Sequence, residues 1–228
     1  MAEALQEIIP ITTGFSKAFL IRGQGNILVD TGAGKSFEII GKALEAQKLR
    51  FTDISHIFIT HCHHDHLSDL VKICVASGAQ VAVHRLEAPS LRGGRNADVV
   101  PVTFAGKLFL LLAKLPPIAD SLRFTGIEPH LQIDSELSLE EFGIRGMAIH
   151  TPGHTPGSVS YLLEGGEVII GDLLMSWKPG GKPQYPMFAT DLEALRGSIK
   201  NLLDRGARMF YLSHGGVCEA SEIEKLLK

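Results

Sequence analysis

The sequence predicts an α/β fold in which two β-sheets pack face to face and helices cover them on the outside. Short apolar runs separated by glycines open the chain, strands then alternate with amphipathic helices, and mixed units of both kinds follow. Apolar residues make up 45% of the 228 residues, which is enough to bury a sizeable core. We therefore expect one domain over residues 1–228.

Alternating apolar positions predict the strands, and apolar positions three to four residues apart predict the helices. Segment 54–60 is largely apolar at both alternating sets, which is typical of a strand buried on both faces. The expected strands are 8–11, 18–21, 26–29, 54–60, 80–83, 144–150, 158–163, 167–171 and 209–212, and the expected helices are 36–48, one from 67, one near 104–114, 192–203 and one from 220.

Residues 85–130 do not follow these patterns. They hold Gly93-Gly94, Pro101 and Pro116-Pro117, with a leucine-rich run between them. We expect a long excursion with one helix that acts as a lid, and segment 108–112 as the wall of an apolar acyl pocket. Packing of that segment on the core or on a second subunit is an equal alternative.

Composition excludes several classes of partner. The formal net charge is −3, which gives no global attraction to nucleic acid or to an anionic membrane. The most apolar stretch, 108–113, is too short to span a bilayer. Three cysteines cannot form a disulfide framework, and the acidic start does not resemble a secretory signal. We expect a cytoplasmic protein that acts on a small-molecule substrate. The sequence indicates no oligomeric state.

The segment His61-Cys62-His63-His64-Asp65-His66 carries the clearest chemical signal. Residues two apart on an extended segment point the same way, so His61 and His63 can face one metal ion. Asp65 and His66 lie where the chain turns into the next helix and can face a second ion. Imidazole and carboxylate ligands suit zinc, and also manganese or iron. The cluster therefore predicts a metal site.

Three further candidate ligands stand at the ends of other predicted strands. His154 lies in a Gly- and Pro-rich loop, Asp172 ends an apolar run, and His214 precedes Gly215-Gly216. Strand ends that open into loops are common locations for functional sites in layered α/β proteins. Together with the cluster they supply enough donors for two metal ions.

The order His61-x-His63-x-Asp65-His66, followed by His154, Asp172 and His214, resembles the metallo-β-lactamase-fold hydrolase superfamily, in its glyoxalase II-like and lactonase-like branch. The resemblance covers nearly the whole chain and implies a four-layer αββα sandwich with a dinuclear site at one edge. It also implies a distribution of ligands. The first metal would be held by His61, His63 and His154, the second by Asp65, His66 and His214, with Asp172 bridging them and Asp30 bracing the site.

The resemblance implies hydrolysis by a hydroxide held between two divalent cations, most often zinc, with manganese or iron as alternatives. We expect cleavage of an ester, thioester or lactone bond in a small or medium substrate, with Asp65 orienting the hydroxide or shuttling its proton. Asp172 argues against β-lactam hydrolysis, because β-lactamases of this fold with an Asp65-His66 pair generally lack the bridging aspartate. The tyrosine that lactonases often carry shortly after that aspartate is missing here.

Two other functions stay open at this point. A persulfide dioxygenase-like oxidoreductase would hold one iron with His61, His154 and Asp172. A binding module without activity would be expected to have lost ligands, and all seven positions are filled. The remaining histidines and Cys62 are expected to have structural roles; these histidines are His56, His64, His84, His130 and His150.

Overall fold

The computed structural model describes residues 6–113, 115, 122–178 and 180–228. Two six-stranded sheets face each other and helices cover the outer face of each, which confirms the predicted αββα sandwich. In the described part of the chain, no helix is long and apolar enough to cross a membrane. Residues 114 and 116–121, which belong to the expected excursion, lie outside the described residues.

The first sheet has the strand order β1-β2-β3-β4-β5-β6. Its first three strands pair antiparallel, and the later strands continue the sheet in parallel from β3. The strands are β1 (Glu7–Thr13), β2 (Ser16–Arg22), β3 (Asn26–Val29), β4 (His56–Phe58), β5 (Gln80–His84) and β6 (Leu131–Ile133).

The second sheet has the order β12-β11-β10-β9-β8-β7 and is antiparallel except where β10 and β11 run parallel. Its strands are β7 (Glu136–Ser138), β8 (Gly146–His150), β9 (Val159–Leu163), β10 (Glu167–Ile169), β11 (Met209–Tyr211) and β12 (Val217–Glu219). The α-helices are α1 (Ser36–Ala46), α2 (Leu70–Ser77), α3 (Ala88–Gly93), α4 (Phe104–Leu112), α5 (Leu192–Asp204) and α6 (Ala220–Leu227), and short 3-10 turns cover Phe51–Asp53 and Glu140–Phe142.

Alternation along the strands builds the layers. In β2, Leu20 faces the core shared with α1 and α2, whereas its neighbour Phe19 faces the core between the sheets. In the second sheet, Tyr161 of β9 faces the inter-sheet core and Val168 of β10 faces α5. Both sheets are therefore buried on two faces, which explains why segment 54–60 is apolar at both alternating sets.

The prediction for residues 85–130 is wrong in one respect. The described residues there form two helices rather than one, because Pro89 in the first turn favours the start of the short helix α3 and Gly94 ends it after six residues. Leu91 of α3 is fully buried in the core beneath the first sheet, so this half of the segment is core structure. The short strands β6, β7 and β12 were not expected from the sequence, because three-residue strands carry too little alternation.

Several expected strands are shorter in the structure, two of them just before candidate ligands. The strand expected at 54–60 is regular only over His56–Phe58, and the one expected at 167–171 ends at Ile169. Gly171 turns the chain with a φ of 54°, and a β-carbon there would lie 2.9 Å from the β-carbon of Thr60. The close approach brings the ends of β4 and β10 together, and both lead directly into candidate ligands.

Candidate metal centre

The structure brings all seven predicted ligands to one edge of the sandwich. The edge is where β4 of the first sheet and β8, β10 and β11 of the second sheet end. The loops that follow these strands carry His61, His63, Asp65, His66, His154, Asp172 and His214. All seven side chains are largely buried.

Three histidines converge in what we call the first donor group, consisting of His61, His63 and His154. The Nε2 atom of His61 lies 3.0 Å from Nδ1 of His63. The Nε2 atom of His154 lies 3.1 Å from the same Nδ1 atom. Three ring nitrogens that face one point at this spacing can hold one metal ion.

The second donor group consists of Asp65, His66 and His214. The Oδ2 atom of Asp65 lies 3.2 Å from Nε2 of His214 and 3.8 Å from Nε2 of His66. One carboxylate and two imidazoles thus face a second point, and they too can hold a metal ion.

Asp172 lies between the two groups. Its Oδ1 atom is 3.3 Å from Nε2 of His66, and its Oδ2 atom is 3.4 Å from Nε2 of His214. The same Oδ2 atom is 3.8 Å from Nε2 of His154 in the first donor group. The position of Asp172 is that of a shared carboxylate.

Hydrogen bonds behind the site fix the tautomers of His61 and His66. The Asp30 carboxylate, which is fully buried, accepts hydrogen bonds from the Thr60 hydroxyl at 2.7 Å and from Nδ1 of His66 at 2.8 Å. Because the Thr60 hydroxyl donates its one proton to Asp30, its oxygen accepts from Nδ1 of His61, 3.0 Å away. When neutral, both histidines therefore direct an Nε2 lone pair into the site.

Backbone carbonyls orient the other two Nε2 donors. His154 donates from Nδ1 to the carbonyl of Phe188 at 2.8 Å, and His214 donates from Nδ1 to the carbonyl of Phe15 at 2.9 Å. When either ring is neutral, its Nε2 atom, which faces the site, is therefore unprotonated. Such support of the ring nitrogen remote from the metal is usual for histidine ligands.

Burial keeps the first donor group neutral. It lowers the pKa of His61 well below its ordinary value, lowers that of His63 to about 3, and also lowers that of His154. A neutral imidazole is the form that binds a metal ion. The first donor group is therefore ready to bind without losing protons at neutral pH.

The second donor group has the opposite balance. Burial opposes charge on His66, but the nearby carboxylates of Asp172, Asp30 and Asp65 outweigh it and raise the pKa of His66 well above its ordinary value. Against the same burial penalty, Asp172 and Asp65 raise the pKa of His214 to about 10. These carboxylates attract positive charge at this point, which is what a divalent cation supplies.

The residues fit a metal centre by a second observation. The Nε2 atom of His66 and the Oδ1 atom of Asp172 are buried and lack a hydrogen-bond partner, although they lie 3.3 Å apart. Burying a polar atom without a hydrogen-bond partner is costly, so these two atoms indicate a binding site for a metal ion. An imidazole nitrogen and a carboxylate oxygen are both ligands that zinc, manganese and iron accept.

Glu87 is a buried residue behind the site that the sequence did not single out. Its side chain is buried, and its Oε2 accepts a hydrogen bond from the backbone N–H of Cys62 at 2.8 Å. Its Oε1 accepts from the backbone N–H of Gly157 at 3.1 Å, and a β-carbon at Gly157 would lie 2.7 Å from Cγ of Glu87. Glu87 thus ties the loop of His61 to the loop of His154. A lone glutamate in the sequence gives no sign of such long-range partners.

The contact of the β1–β2 turn with the site was also not predicted, although the turn itself was. The Ser16 hydroxyl donates to the carbonyl of Asp65 at 2.5 Å. The Phe15 ring stacks on His214, with ring centroids 5.9 Å apart and an interplanar angle of 15°. Lys17 donates from Nζ to the carbonyl of Gly215, the residue after His214. The turn therefore touches the loops that hold two members of the second donor group.

Cys62, His84 and His150 lie away from the two donor groups, whereas Nδ1 of His64 lies 3.7 Å from Oδ1 of Asp65. Cys62 is buried in the core beneath the first sheet, and burial raises the pKa of its thiol well above the ordinary value. His64 lies beside Asn96, which accepts its backbone N–H at 2.7 Å. His84 and His150 stack with centroids 4.0 Å apart, and each Nε2 bonds to a backbone carbonyl. None of these four residues belongs to a donor group.

A cleft of about 870 Å³ opens over the site. Its floor includes the donors His63, Asp65, His154, Asp172 and His214. Its walls are mostly apolar and include Phe15, Phe109, Leu110, Met175, Trp177, Met187 and Phe188. Such a space with a few polar groups at its base has the properties of a small-molecule site.

Comparison with known proteins decides the family. The model of the metallo-beta-lactamase superfamily matches residues 11–214, most of the chain. The chain belongs to the metallo-β-lactamase superfamily. The family resemblance predicted from the ligand pattern is thereby confirmed.

Several known proteins are similar to most of this chain. The probable metallo-hydrolase MJ0888 of Methanocaldococcus jannaschii is 32% identical over 207 residues, covering 89% of this chain and 88% of its own length. The probable metallo-hydrolase YflN of Bacillus subtilis is 29% identical over 206 residues, covering 83% and 75%. The solved structure of TTHA1623 in a di-iron-bound form matches with a TM-score of 0.70 at 25% identity, covering 96% of this chain and 98% of that chain.

Proposed function

We propose that this protein is a metal-dependent hydrolase that cleaves an ester, thioester or lactone bond of a small or medium substrate. The observation that carries the proposal is the pair of donor groups joined by Asp172 at the floor of an apolar cleft. The relatives in Methanocaldococcus jannaschii and Bacillus subtilis are named as probable metallo-hydrolases, which supports hydrolysis.

The first donor group would hold one divalent cation and the second donor group another, with Asp172 shared between them. Zinc fits the mixture of imidazole and carboxylate donors, and manganese and iron also accept it. Two bound cations would lower the pKa of a shared water towards neutrality and polarise the carbonyl group that the water attacks.

The residues of the chain have defined tasks in this reaction. Asp65 reaches the cleft floor, so its carboxylate can orient the attacking water and accept its proton. Asp30 and Thr60 keep His61 and His66 in the tautomer that binds metal. The apolar walls exclude water from the bond that is cleaved.

A dioxygenase with one iron would need only His61, His154 and Asp172. The second donor group is complete beside them, and two of its three members also contact Asp172. The second donor group offers a place for a second cation, which supports the two-cation hydrolase over the single-iron enzyme.

The test uses protein stripped of metal by a chelator and reloaded with zinc, manganese or iron. Each form is assayed against matched esters, thioesters and lactones of increasing acyl length. We expect turnover that needs two equivalents of metal. The Asp65→Asn variant should lose about a hundredfold or more in kcat, through loss of proton transfer and of one metal donor. Asp134→Asn, at an exposed aspartate that pairs with Arg85, is the matched control.

Two results would refute the proposal. One is an absence of turnover on the whole panel with every metal. The other is oxygen consumption on a persulfide by a form that holds one iron per chain, which would establish the dioxygenase instead.

A further inference from the structure

One lysine stands inside the cleft beside the second donor group. Lys17 of β2 lines the cleft together with Asp65 and His214. Its Nζ atom donates to the carbonyl of Gly215, which directly follows His214, and its neighbour Ser16 bonds to the carbonyl of Asp65. Two anchors on the surrounding loops thus place the Lys17 ammonium group next to the floor of the cleft.

The charge of Lys17 has no counterion in the described part of the chain, where no carboxylate lies within 4.0 Å of its Nζ. The Gly215 carbonyl engages one of the three N–H donors, which leaves two for another partner. Partial burial disfavours the charged form and lowers the pKa of Lys17. Keeping an ammonium group half-buried and without a counterion is costly, so the position suggests an anionic ligand.

Another part of the cleft wall has a different character. Phe109 and Leu110 of α4 line it with Met187 and Phe188, and the rings of Phe109 and Phe188 lie 5.7 Å apart. This apolar wall would accept a hydrocarbon group. The cleft therefore offers an apolar surface and a cationic group, both bordering the same catalytic floor.

We propose that Lys17 forms an anion subsite, and that the substrate carries a carboxylate or phosphate group on one side of the cleaved bond and an apolar group on the other. This inference rests on the proposed hydrolase function. Lys178 also lines the cleft, but its side chain is exposed, where water and salt screen its charge. Lys17, which is half-buried, is the residue that sets the preference.

The kinetic test compares substrates with one acyl chain and three leaving groups, which end in a carboxylate, a phosphate or a neutral amide. We expect the wild-type protein to prefer an anionic form in kcat/KM. In Lys17→Met the ratio of anionic to neutral kcat/KM should fall at least about tenfold, as expected for a lost charge-assisted hydrogen bond. Lys17→Arg should restore much of the ratio. The carboxylate and phosphate arms identify which anion is preferred.

Lys178→Met, which removes the same formal charge, should keep the wild-type ratio. A ratio that falls in Lys178→Met instead of Lys17→Met would overturn the proposal. So would an equal loss on all three substrates in Lys17→Met, because Lys17 would then only support the Gly215 loop.

A binding measurement tests the anion subsite independently of hydrolase activity. Calorimetry on the zinc-loaded protein compares octanesulfonate with the neutral methyl octyl sulfone. We expect the wild-type protein to bind the sulfonate at least about tenfold more tightly, and Lys17→Met to lose that preference. A preference that persists in Lys17→Met would place the anion on the metals and refute the subsite. If no substrate is turned over while the Lys17-dependent preference holds, only the hydrolase proposal fails.

Discussion

The floor and the walls of the cleft are built in different ways. On the floor, most donor side chains have a polar partner behind them, such as Asp30 behind His66 and the Phe188 carbonyl behind His154. On the walls, apolar side chains are held mainly by packing, and Phe109 and Trp177 remain 39% and 66% exposed. Directional hydrogen bonds fix the position of an atom more closely than apolar contact does.

The difference indicates which part sets the chemistry and which part sets the choice of substrate. The floor holds its donors in place before a substrate arrives, which is the condition for electrostatic catalysis. The walls can be changed without disturbing the donors. We therefore expect changes to the floor to abolish activity and changes to the walls to alter specificity.

Asp172→Ala should have the largest effect, because it removes the carboxylate shared by both donor groups. Loss of several kcal/mol of transition-state stabilisation corresponds to about a thousandfold fall in kcat/KM. Metal content, measured by atomic spectroscopy, should fall with it. The control is Asp204→Ala, at an exposed aspartate paired with Lys200. A variant that keeps both metals and a tenth of the activity would contradict the shared position of Asp172.

Glu87→Ala should have the next largest effect, although Glu87 touches neither donor group. The substitution leaves the N–H groups of Cys62 and Gly157 buried without an acceptor. Each unsatisfied group should lower the free energy of unfolding by about 1–3 kcal/mol. We also expect metal affinity to fall about tenfold to a hundredfold.

Two measurements separate a positioning role of Glu87 from a general loss of stability. The absorption spectrum of the cobalt-loaded protein should change in Glu87→Ala, because the first donor group shifts. Glu87→Gln, which keeps one oxygen acceptor, should recover part of the metal affinity. Glu128→Ala, at an exposed glutamate that pairs with Arg92, is the matched control. An unchanged cobalt spectrum in Glu87→Ala would refute the role.

Phe109→Ala tests the wall and should change specificity rather than chemistry. Each methylene group that loses contact with the wall costs about 0.8 kcal/mol, so the preference for longer acyl chains should weaken by several-fold. Leu111→Ala, on the same helix but 63% exposed and not part of the cleft lining, is the matched control. Chain-length profiles that are identical in the two variants would show that α4 does not contact the substrate.

His150→Phe should have the smallest effect. Phenylalanine can keep the stacking on His84 and loses only the hydrogen bond to the Pro156 carbonyl, worth about 1 kcal/mol. Metal content should stay at the wild-type value. A loss of one metal ion would mean that His84 and His150, and not only the seven donor residues, support metal binding.

The sequence predicted the floor far better than the walls, for a physical reason. His61, His154 and Asp172 each follow a predicted strand, and strands of packed sheets end at a common edge. Glu87 and Lys17 act through partners 25 to 198 residues away, a distance that no local pattern encodes. Helix α3 was not predicted because glycines limit it to six residues, which is too short to show a helical repeat of apolar residues.

The most direct test of the central claim is the number of metal ions that the metal-free chain binds. Zinc is titrated into the stripped protein by calorimetry, with equilibrium dialysis as an independent count. The two donor groups joined by Asp172 predict saturation at two zinc ions per chain, with full activity reached only at the second. Saturation at one ion, with full activity at that point, would contradict the account.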